Sequence, residues 1–561
     1  MKSVLFFSPY TPWIPHTMWE ITLAYAIRQR GHSARFITCQ GLPDCGMAPV
    51  RTHTPEMRCK LCRGFTEREL PKVHHTAEYM QAVLTDQDRK ELAAWAQSLR
   101  VEEFSEAQYQ GLPLGKWVWT ELLNCWNTPD PDLGRPEVAQ SYRDYLLGAA
   151  TAAVCLPRLF ERHQPDVLVT LNGVFFLHRV ALELAKARGI RVVTHERGLQ
   201  DNTLTLNVNA PVWNQGRFER MWREWKEVAL TAGELRAVER LLTERRRGQN
   251  MGWWAFSPSP QDLQQVRAAA NLPDQPMALL CTSSECEASM ATRAAPISQR
   301  EWIERTVAWF GEHPEYTLVI RIHPHEEEYA KIDDRVLRRY EALKASAPQN
   351  VRVILPQEEV STYSLMDLAS AGLTYGTTAG LEMACLGLPI VHAGVGFYKE
   401  SGFTYEVNAP EDIPSIMVEV MERGRSLETQ RLAYRFLYRY FLGMSIPFSK
   451  VRVASDFINA EICYQSTAEL APGRDRNLDR LVDYILGESE LYPPPTPLRA
   501  LESPDAEDRF FAEQRIAGLL EAARRHPDRS DLLIEAADRL RDLGRLTDAA
   551  AVYAAAQRHS P

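Results

Sequence analysis

The sequence has few of the features that mark membrane, secreted or nucleic-acid-coating proteins. None of its apolar runs reaches about 18 residues, the length that a membrane-spanning helix needs. The N-terminal stretch MKSVLFFSPYTPWIPH is apolar only from Val4 to Phe7, which is too short for the core of a secretory signal. Positive charge is also scarce: the formal net charge is -9, so a main role in coating nucleic acid is not expected.

Cysteine is scarce as well, with 10 residues in 561, and several of them stand alone inside apolar runs. This usage is typical of a reducing compartment rather than of a disulfide-linked secreted protein, so a cytoplasmic location is expected. A chain of 561 residues is too long for one ordinary core, and two or three domains are expected.

Short β-type runs alternate with helical patterns along most of the chain. The predicted strands are KSVLFFS, SARFITC, PDVLVTL and IRVVTH in the first half, and MALLCT, YTLVIRIH, VRVILP, AGLTYG and PIVHA in the second. Because parallel strands are joined by helical crossovers, this alternation predicts an α/β fold with two tandem Rossmann-like, doubly wound domains. Ligands bind at the carboxyl ends of strands in such sheets, so two facing sheets would form a cleft.

The predicted domain boundaries follow composition. Residues 1–265 are expected to form the first α/β domain, with a mostly helical insertion near 66–150, and residues 266–489 the second. The proline-rich stretch ELYPPPTPLRALESPDAED, residues 490–508, predicts a semi-rigid linker.

Residues 509–561 are expected to form a short all-α tail of tetratricopeptide-like helical hairpins; an unrelated amphipathic tail is the alternative. The positions that match the repeat spacing are Ala537, Gly544, Ala549, Tyr553, Ala556 and Pro561. About three repeats are needed for an independent stack, so the tail is expected to lean on the α/β body, a protein partner or another copy.

The stretch TYGTTAGLEMACLGLPIVHAG predicts a phosphate-binding turn. Gly376, Thr377 and Thr378 lie between a strand and a short helix, where helix N–H groups and threonine hydroxyls can stabilise a phosphate. Glu382 lies about one turn further on, where a carboxylate can accept hydrogen bonds from a ribose diol. The alternative is a crossover whose glycines only allow tight packing, with Glu382 as a solvated helix residue.

A second group of polar residues ends the predicted strand in LVIRIHPHEEEYA. Arg321 and His323 would lie at the carboxyl end of that strand, and an imidazole there can donate to a phosphate or, if protonated, neutralise a departing nucleotide. A structural histidine is the alternative. Ser283 and Ser284, in CTSSECE, end the first strand of the same series and are candidate phosphate or sugar donors.

Four cysteines form a C-x5-C-x13-C-x2-C array after the second predicted strand: Cys39, Cys45, Cys59 and Cys62. One close pair with two further thiols within reach is compatible with tetrahedral zinc, although the first spacing is wider than in common zinc ribbons. Free thiols and redox or iron-sulfur chemistry are the alternatives. Four thiolates leave no open coordination position, so such a zinc would be structural.

The order THERG, RIHPH and PQEEVSTYSLMDLASAGLTYGTTAGLEMACLGLPIVHAG resembles bacterial capsule and surface-polysaccharide-biosynthesis glycosyltransferases of the GT-B architecture. These enzymes are similar in outline to Kdo transferases and sialyltransferases, which carry an acidic residue with a Gly, a His-Pro motif and a Ser/Thr motif around a nucleotide sugar. The motifs fall on Glu196 and Gly198, on His323 and Pro324, and on Thr377 and Thr378. The resemblance covers roughly residues 1–440. A sialyltransferase motif would have paired acids where HERG has one, so CMP- and UDP-activated donors both stay open.

The resemblance implies a division of roles between the two halves. Glu196 would deprotonate an acceptor hydroxyl, and His323 would act on the leaving nucleotide phosphate. An ordinary salt bridge from Glu196 to Arg197 or Arg191 is the alternative.

The acceptor would bind the first half, where SPYTPWIPHTMWEITLAYAIRQRGH lines the cleft in the GT-B architecture. His16 and Glu20 are candidate polar contacts to the acceptor, and Trp13 and Trp19 are candidate stacking platforms for sugar rings. Aromatic packing anchors at the start of a helix are the alternative.

Taken together, these features predict a glycosyltransferase that moves a sugar from a CMP- or UDP-activated donor to a surface-polysaccharide or protein-linked glycan acceptor. No cofactor is expected for catalysis, and no nucleic acid is expected as a partner. The expected location is the cytoplasm or the periphery of the inner membrane. The alternatives are a nucleotide-sugar 2-epimerase or glycerophosphotransferase, or a scaffold that has lost catalysis and works through its repeat tail.

Overall fold

The computed structural model describes residues 1–46, 54–69, 77–249, 258–285, 295–331, 333–455, 459–496, 499 and 504–559. The predicted alternation of strands and helices is confirmed in them. The strands are β1 (Ser3–Phe7), β2 (Ser33–Thr38), β3 (Ala77–Tyr79), β4 (Val167–Leu171), β5 (Arg191–Arg197), β6 (Thr203–Val208), β7 (Met277–Cys281), β8 (Thr317–Arg321), β9 (Val351–Ile354), β10 (Ala371–Thr374), β11 (Ile390–His392), β12 (Thr404–Glu406), β13 (Ile446–Pro447), β14 (Val451–Val453) and β15 (Ala460–Ile462).

Helices join most of these strands. They are α1 (Ile14–Gln29), α2 (Pro55–Glu69), α3 (Asp86–Ser98), α4 (Leu114–Trp126), α5 (Pro136–His163), α6 (Phe176–Lys186), α7 (Gln215–Trp225), α8 (Ala232–Arg246), α9 (Leu263–Ala269), α10 (Gln299–Glu312), α11 (His325–Tyr329), α12 (Arg335–Ser346), α13 (Thr362–Leu368), α14 (Ala379–Cys385), α15 (Ile413–Glu422), α16 (Leu427–Leu437), α17 (Arg476–Leu486), α18 (Asp505–Arg525), α19 (Ser530–Asp542) and α20 (Leu546–His559). A π-helix, Tyr438–Gly443, follows α16. No helix among the described residues is both long and apolar enough to cross a membrane.

The strands form two main sheets that share one topology. The first has the order β13-β6-β5-β4-β1-β2-β3, in which β1 to β5 are parallel and β6 and β13 are added antiparallel. The second has the order β12-β11-β10-β7-β8-β9, and all its pairs are parallel. Each sheet therefore reverses its strand order once, between β1 and β4 or between β7 and β10, and such a reversal opens a crevice at the carboxyl edge.

The chain passes to the second sheet earlier than the expected boundary at residue 265. Phe218 and Trp222 of α7, and Leu235 and Leu241 of α8, pack in the core that contains Leu279 of β7. These helices therefore cover the second sheet, although they precede residue 265. An amphipathic helix does not indicate which of two sheets it will cover, so composition alone could not place this crossing.

The chain also returns to the first sheet before the expected boundary at residue 489. Strand β13 pairs with β6, and α17 packs against α1. Ile446, Leu481 and Leu491 lie in the same hydrophobic core as Phe6 and Trp19. The segment from β13 to Leu491 thus completes the first sheet's core rather than the second's.

The tail is three helices, α18 to α20, that share a small hydrophobic core of their own. The first part of α18 is anchored elsewhere: Phe511 is buried in the core of the second sheet. Glu507 is fully buried and forms an ion pair with Arg435 of α16, with Oε2 and Nη2 2.8 Å apart. Residues 497, 498 and 500–503 of the predicted linker, and 560–561 of the tail, lie outside the described residues.

We expect Glu507→Ala to lower the free energy of unfolding by about 3 kcal/mol, because it leaves the buried Arg435 guanidinium without its counter-charge. Asp508→Ala is the matched control. Asp508 pairs with Arg431, and half of its side chain is exposed, so its loss should cost less than about 1 kcal/mol. Chemical denaturation of the full chain measures both values, and equal losses would contradict an anchoring role for Glu507.

Candidate functional site

The carboxyl edge of the first sheet brings Glu196 and His16 together. Glu196 is the next-to-last residue of β5, and its Oε1 lies 3.2 Å from Nε2 of His16, in the first turn of α1. Its Oε2 accepts a hydrogen bond of 3.0 Å from Asn172, which follows β4. The two paired side chains are 12% and 10% exposed, so the pair is nearly buried but still reaches the surface.

The protonation of this pair follows from its burial. Burial raises the pKa of Glu196 above its ordinary value. Burial also lowers the pKa of His16 well below its ordinary value, and His195, Arg197 and His178 lower it further. The imidazole is therefore neutral at physiological pH, which is the form that can accept a proton. A neutral histidine beside a carboxylate is a suitable general base.

Glu20 and Trp19, both expected to contact the acceptor, lie behind this surface. Glu20 Oε1 lies 2.7 Å from His195 Nε2, and the Ser8 hydroxyl bonds to the other oxygen. Trp19 is fully buried and packs edge-on against the ring of His16. Trp13 is only partly buried and lies beside His16 and Phe175.

A pocket of about 130 Å³ lies at the carboxyl edge of the second sheet. It is lined by residues from four predicted segments and from α8, including Arg245, Thr282, Arg321, His323, Tyr363, Thr377, Thr378 and Glu382. The sequence-predicted residues of this half therefore converge, with three exceptions. Gly376, Ser283 and Ser284 do not line the pocket; the two serines are buried, and their hydroxyls have no hydrogen-bond partner among the described residues.

Glu382 contacts a residue that the sequence did not single out. Its Oε1 accepts a hydrogen bond of 2.7 Å from Nε of Arg245, and both side chains are almost fully buried. Arg245 is the next-to-last residue of α8, 137 residues away in sequence. The alternative interpretation of Glu382 as a solvated helix residue is therefore wrong, since the pair forms part of the pocket wall.

The pocket histidine is held in one tautomer. The backbone N–H of His323 donates to Thr282 Oγ1 over 2.8 Å, and the ring Nδ1 accepts from the backbone N–H of His325 over 3.2 Å. Burial lowers the pKa of His323 to about 3, with smaller effects from His325 and Arg321. The ring is thus neutral with its proton on Nε2, so it can donate a hydrogen bond to a phosphate but does not carry the positive charge considered above.

Arg321 supplies the second cation of the pocket. Its Nη1 donates to the Leu355 carbonyl over 2.6 Å, which fixes the guanidinium at the end of β8. Thr377 Oγ1 accepts from the N–H of Ala379 over 3.3 Å at the start of α14. The pocket therefore combines two guanidinium groups, an imidazole N–H and two threonine hydroxyls, which are the donors that phosphate and sugar oxygens accept.

A further contact joins the helical insertion of the first half to the second half of the chain. Nη2 of Arg335, at the start of α12, donates to the Asp130 carbonyl over 2.7 Å and to Thr128 Oγ1 over 3.2 Å. The contact between Arg335 and the loop before α5 therefore links the two halves of the chain.

The four cysteines of the predicted array surround one cavity of about 10 Å³, roughly the space of a single water. Cys59 and Cys62 lie in α2. Within the described ranges, however, no group of three or more His, Cys, Asp or Glu side chains is arranged to hold a metal ion. Burial raises the pKa of Cys39 to about 12 and also raises that of Cys62, so without a metal ion both are protonated thiols.

We expect elemental analysis of the purified protein to find far less than one zinc per chain. Without a metal ion the buried thiols contribute only packing, so Cys62→Ala should lower stability without changing metal content. Cys463→Ala, at an exposed thiol, is the matched control. Stoichiometric zinc that falls in Cys59→Ser or Cys62→Ser would restore the structural metal predicted from the sequence.

No protein-family model matches the chain, and no curated protein does. Among solved structures, the chain is similar to Thermosulfurimonas dismutans KpsC, a beta Kdo 2,4 transferase, with 16% identity, a TM-score of 0.34, and coverage of 55% of this chain and 87% of that one. It is also similar to the spinosyn rhamnosyltransferase SpnG, with 14% identity, a TM-score of 0.27, and coverage of 79% and 96%. The UDP-GlcNAc 2-epimerase of Methanocaldococcus jannaschii matches with 14% identity, a TM-score of 0.28, and coverage of 78% and 98%. These similarities are low, and the geometry of the chain itself has to support a function.

Proposed function

We propose that this chain is a glycosyltransferase of the GT-B architecture, which moves a sugar from a nucleotide-activated donor to a hydroxyl group of a glycan. The observation that carries the proposal is a pair of unlike sites, one at the carboxyl edge of each sheet; in the proposed enzyme the two edges face each other across a cleft. One edge holds a neutral histidine beside a carboxylate, His16 and Glu196. The facing edge holds a pocket lined by guanidinium, imidazole and hydroxyl donors.

In the proposed reaction, the pair of His16 and Glu196 takes the proton of the acceptor hydroxyl. The acceptor oxygen forms a bond to the anomeric carbon of the donor sugar, and the bond from that carbon to the phosphate oxygen breaks. The nucleotide leaves with the electron pair of the broken bond, and the pocket donors stabilise its charge: Arg321, the Nε2–H of His323, and the hydroxyls of Thr377 and Thr378. Glu382 accepts hydrogen bonds from the ribose, with Arg245 holding its carboxylate in place.

The motif resemblance supports a surface-polysaccharide or protein-linked glycan as the acceptor. Trp13 fits that class, because an aromatic ring beside the base can pack against the apolar face of a sugar. A CMP- or UDP-activated sugar is the proposed donor.

Nucleotide binding tests the proposal first. A ligand that binds only the folded state raises its stability by mass action, so we expect CMP, UDP, GDP or CDP to raise the melting temperature. Thr377→Val with Thr378→Val should weaken that nucleotide about 10-fold or more in calorimetry without unfolding the protein. Thr467→Val, outside the pocket, is the control. If none of the four nucleotides binds, the proposal fails and a scaffold is favoured.

A further inference from the structure

Two histidine–carboxylate pairs lie side by side at the carboxyl edge of the first sheet. His16 and Glu20 are one turn apart on α1, and His195 and Glu196 are consecutive on β5. Each histidine contacts the carboxylate of the other element: His16 Nε2 lies 3.2 Å from Glu196 Oε1, and His195 Nε2 lies 2.7 Å from Glu20 Oε1. The two imidazole rings are 5.9 Å apart.

Only the pair of His16 and Glu196 reaches the surface. The side chains of His195 and Glu20 are 0% and 4% exposed, and the Ser8 hydroxyl bonds to the second oxygen of Glu20. A buried carboxylate is tolerated when donors satisfy both of its oxygens, as they do here. A substrate hydroxyl therefore cannot reach Glu20. The inner pair, His195 and Glu20, still lies close enough for its charges to act on His16 across a few ångströms of water-free protein.

We propose that Glu20 and His195 are positioning residues, which hold the ring of His16 against Glu196 and set the electrostatic field that this pair experiences. The inference rests on the proposed function, because the outer pair, His16 and Glu196, acts as a base only if the chain transfers a sugar to a hydroxyl group. Glu20 was predicted to contact the acceptor, and His195 was given no role.

The charged groups around His16 come from three elements. Helix α1 supplies Glu20, and strand β5 supplies His195, Glu196 and Arg197. Helix α6 supplies His178, which is ionisable but neutral at physiological pH because burial lowers its pKa to about 3. The base works only when the outer pair has lost its proton. A negative charge left uncompensated nearby raises the pKa of that pair, whereas removal of a negative charge lowers it.

Two glutamine variants separate these effects. His195→Gln keeps an amide that can donate to Glu20 but removes the ionisable group that faces its carboxylate; Glu20→Gln removes the carboxylate and keeps an amide oxygen for His195. As the pH is lowered, turnover should be lost in both variants when the outer pair takes up its proton. The midpoint of this loss should lie at a higher pH in His195→Gln than in Glu20→Gln, by about one pH unit for charges some 6 Å apart. Loss of turnover at the same acidic pH in the two variants would overturn the proposal.

Thr22→Val is the control, because Thr22 is buried in the same helix but carries no charge. The pH at which this variant loses turnover in acid should equal that of the unmodified protein. A different pH would show that packing alone changes the pH dependence of turnover. Melting temperatures establish that each variant is folded.

Histidine-labelled NMR of the unmodified protein gives a second, independent measurement. The His16 resonance, assigned by its loss in His16→Gln, should not titrate between pH 5 and 8, and an ordinary midpoint near 6.5 would overturn the proposal. This measurement needs no activity and no variant at position 195. Absence of sugar transfer with a non-titrating His16 would contradict the proposed function but not the neutral state of His16, and the pH profiles of the two glutamine variants alone test the inner pair.

Discussion

Glu196→Gln is expected to lower turnover about 100-fold or more while leaving nucleotide affinity nearly unchanged. Glutamine preserves the size of the side chain and can still hydrogen-bond to Asn172 and His16, but it cannot hold a proton or stabilise an imidazolium. Loss of general base catalysis costs about 100-fold to 10,000-fold in rate. Steady-state kinetics at saturating donor measures the loss, and Glu102→Gln, at an exposed position, is the matched control.

Because His16 is paired with Glu196, a related loss of turnover is expected when His16 is replaced. If the two side chains act as one base, His16→Gln should lose about as much turnover as Glu196→Gln, and the double variant should lose little more than either. Independent, multiplying losses would mean that the two residues serve different steps. Near-full turnover in Glu196→Gln would place the base elsewhere in the cleft.

The second large effect is expected at the other edge of the cleft. Arg245→Met leaves the buried carboxylate of Glu382 without its partner, and loss of one member of a buried ion pair costs about 3–5 kcal/mol of stability. The freed carboxylate is also no longer held toward a ribose, so nucleotide affinity should fall about 10-fold or more. Denaturation and calorimetry measure the two losses.

Arg246→Met is a close control for this prediction, because Arg246 is the next residue of the same helix and pairs with Asp367 at a partly exposed position. It should cost less than about 1 kcal/mol and leave nucleotide affinity unchanged. Equal behaviour of the two variants would show that Arg245 has no special part in the pocket. Loss of stability with full nucleotide affinity would restrict Arg245 to a structural role.

Most of the parallel strands and most of the pocket residues followed from local patterns. His323, Thr377 and Glu382 were predicted because each follows a recognisable strand, and side chains at the carboxyl ends of parallel strands share one edge. Asn172 also directly follows a predicted strand, so the same rule, applied to β4, could have found it.

The remaining features depend on contacts between distant segments. Arg245 reaches Glu382 from a helix that composition assigned to the other half of the chain. Glu20 appeared available to an acceptor because a helix near the cleft was predicted, but only the fold shows that His195 and Ser8 occupy its carboxylate. Amphipathic patterns define which face of a helix is buried and do not define what buries it.

Product analysis tests the central claim most directly. The protein is incubated with CMP-, UDP- and GDP-activated sugars, with and without bacterial surface-polysaccharide acceptors, and free nucleotide and glycan mass are measured by mass spectrometry. We predict that nucleotide is released with one donor class in an acceptor-dependent way and that the acceptor gains the mass of one sugar residue. A rearranged sugar or its nucleotide formed from donor alone, with no mass gained by any acceptor, would contradict a glycosyltransferase and favour an epimerase.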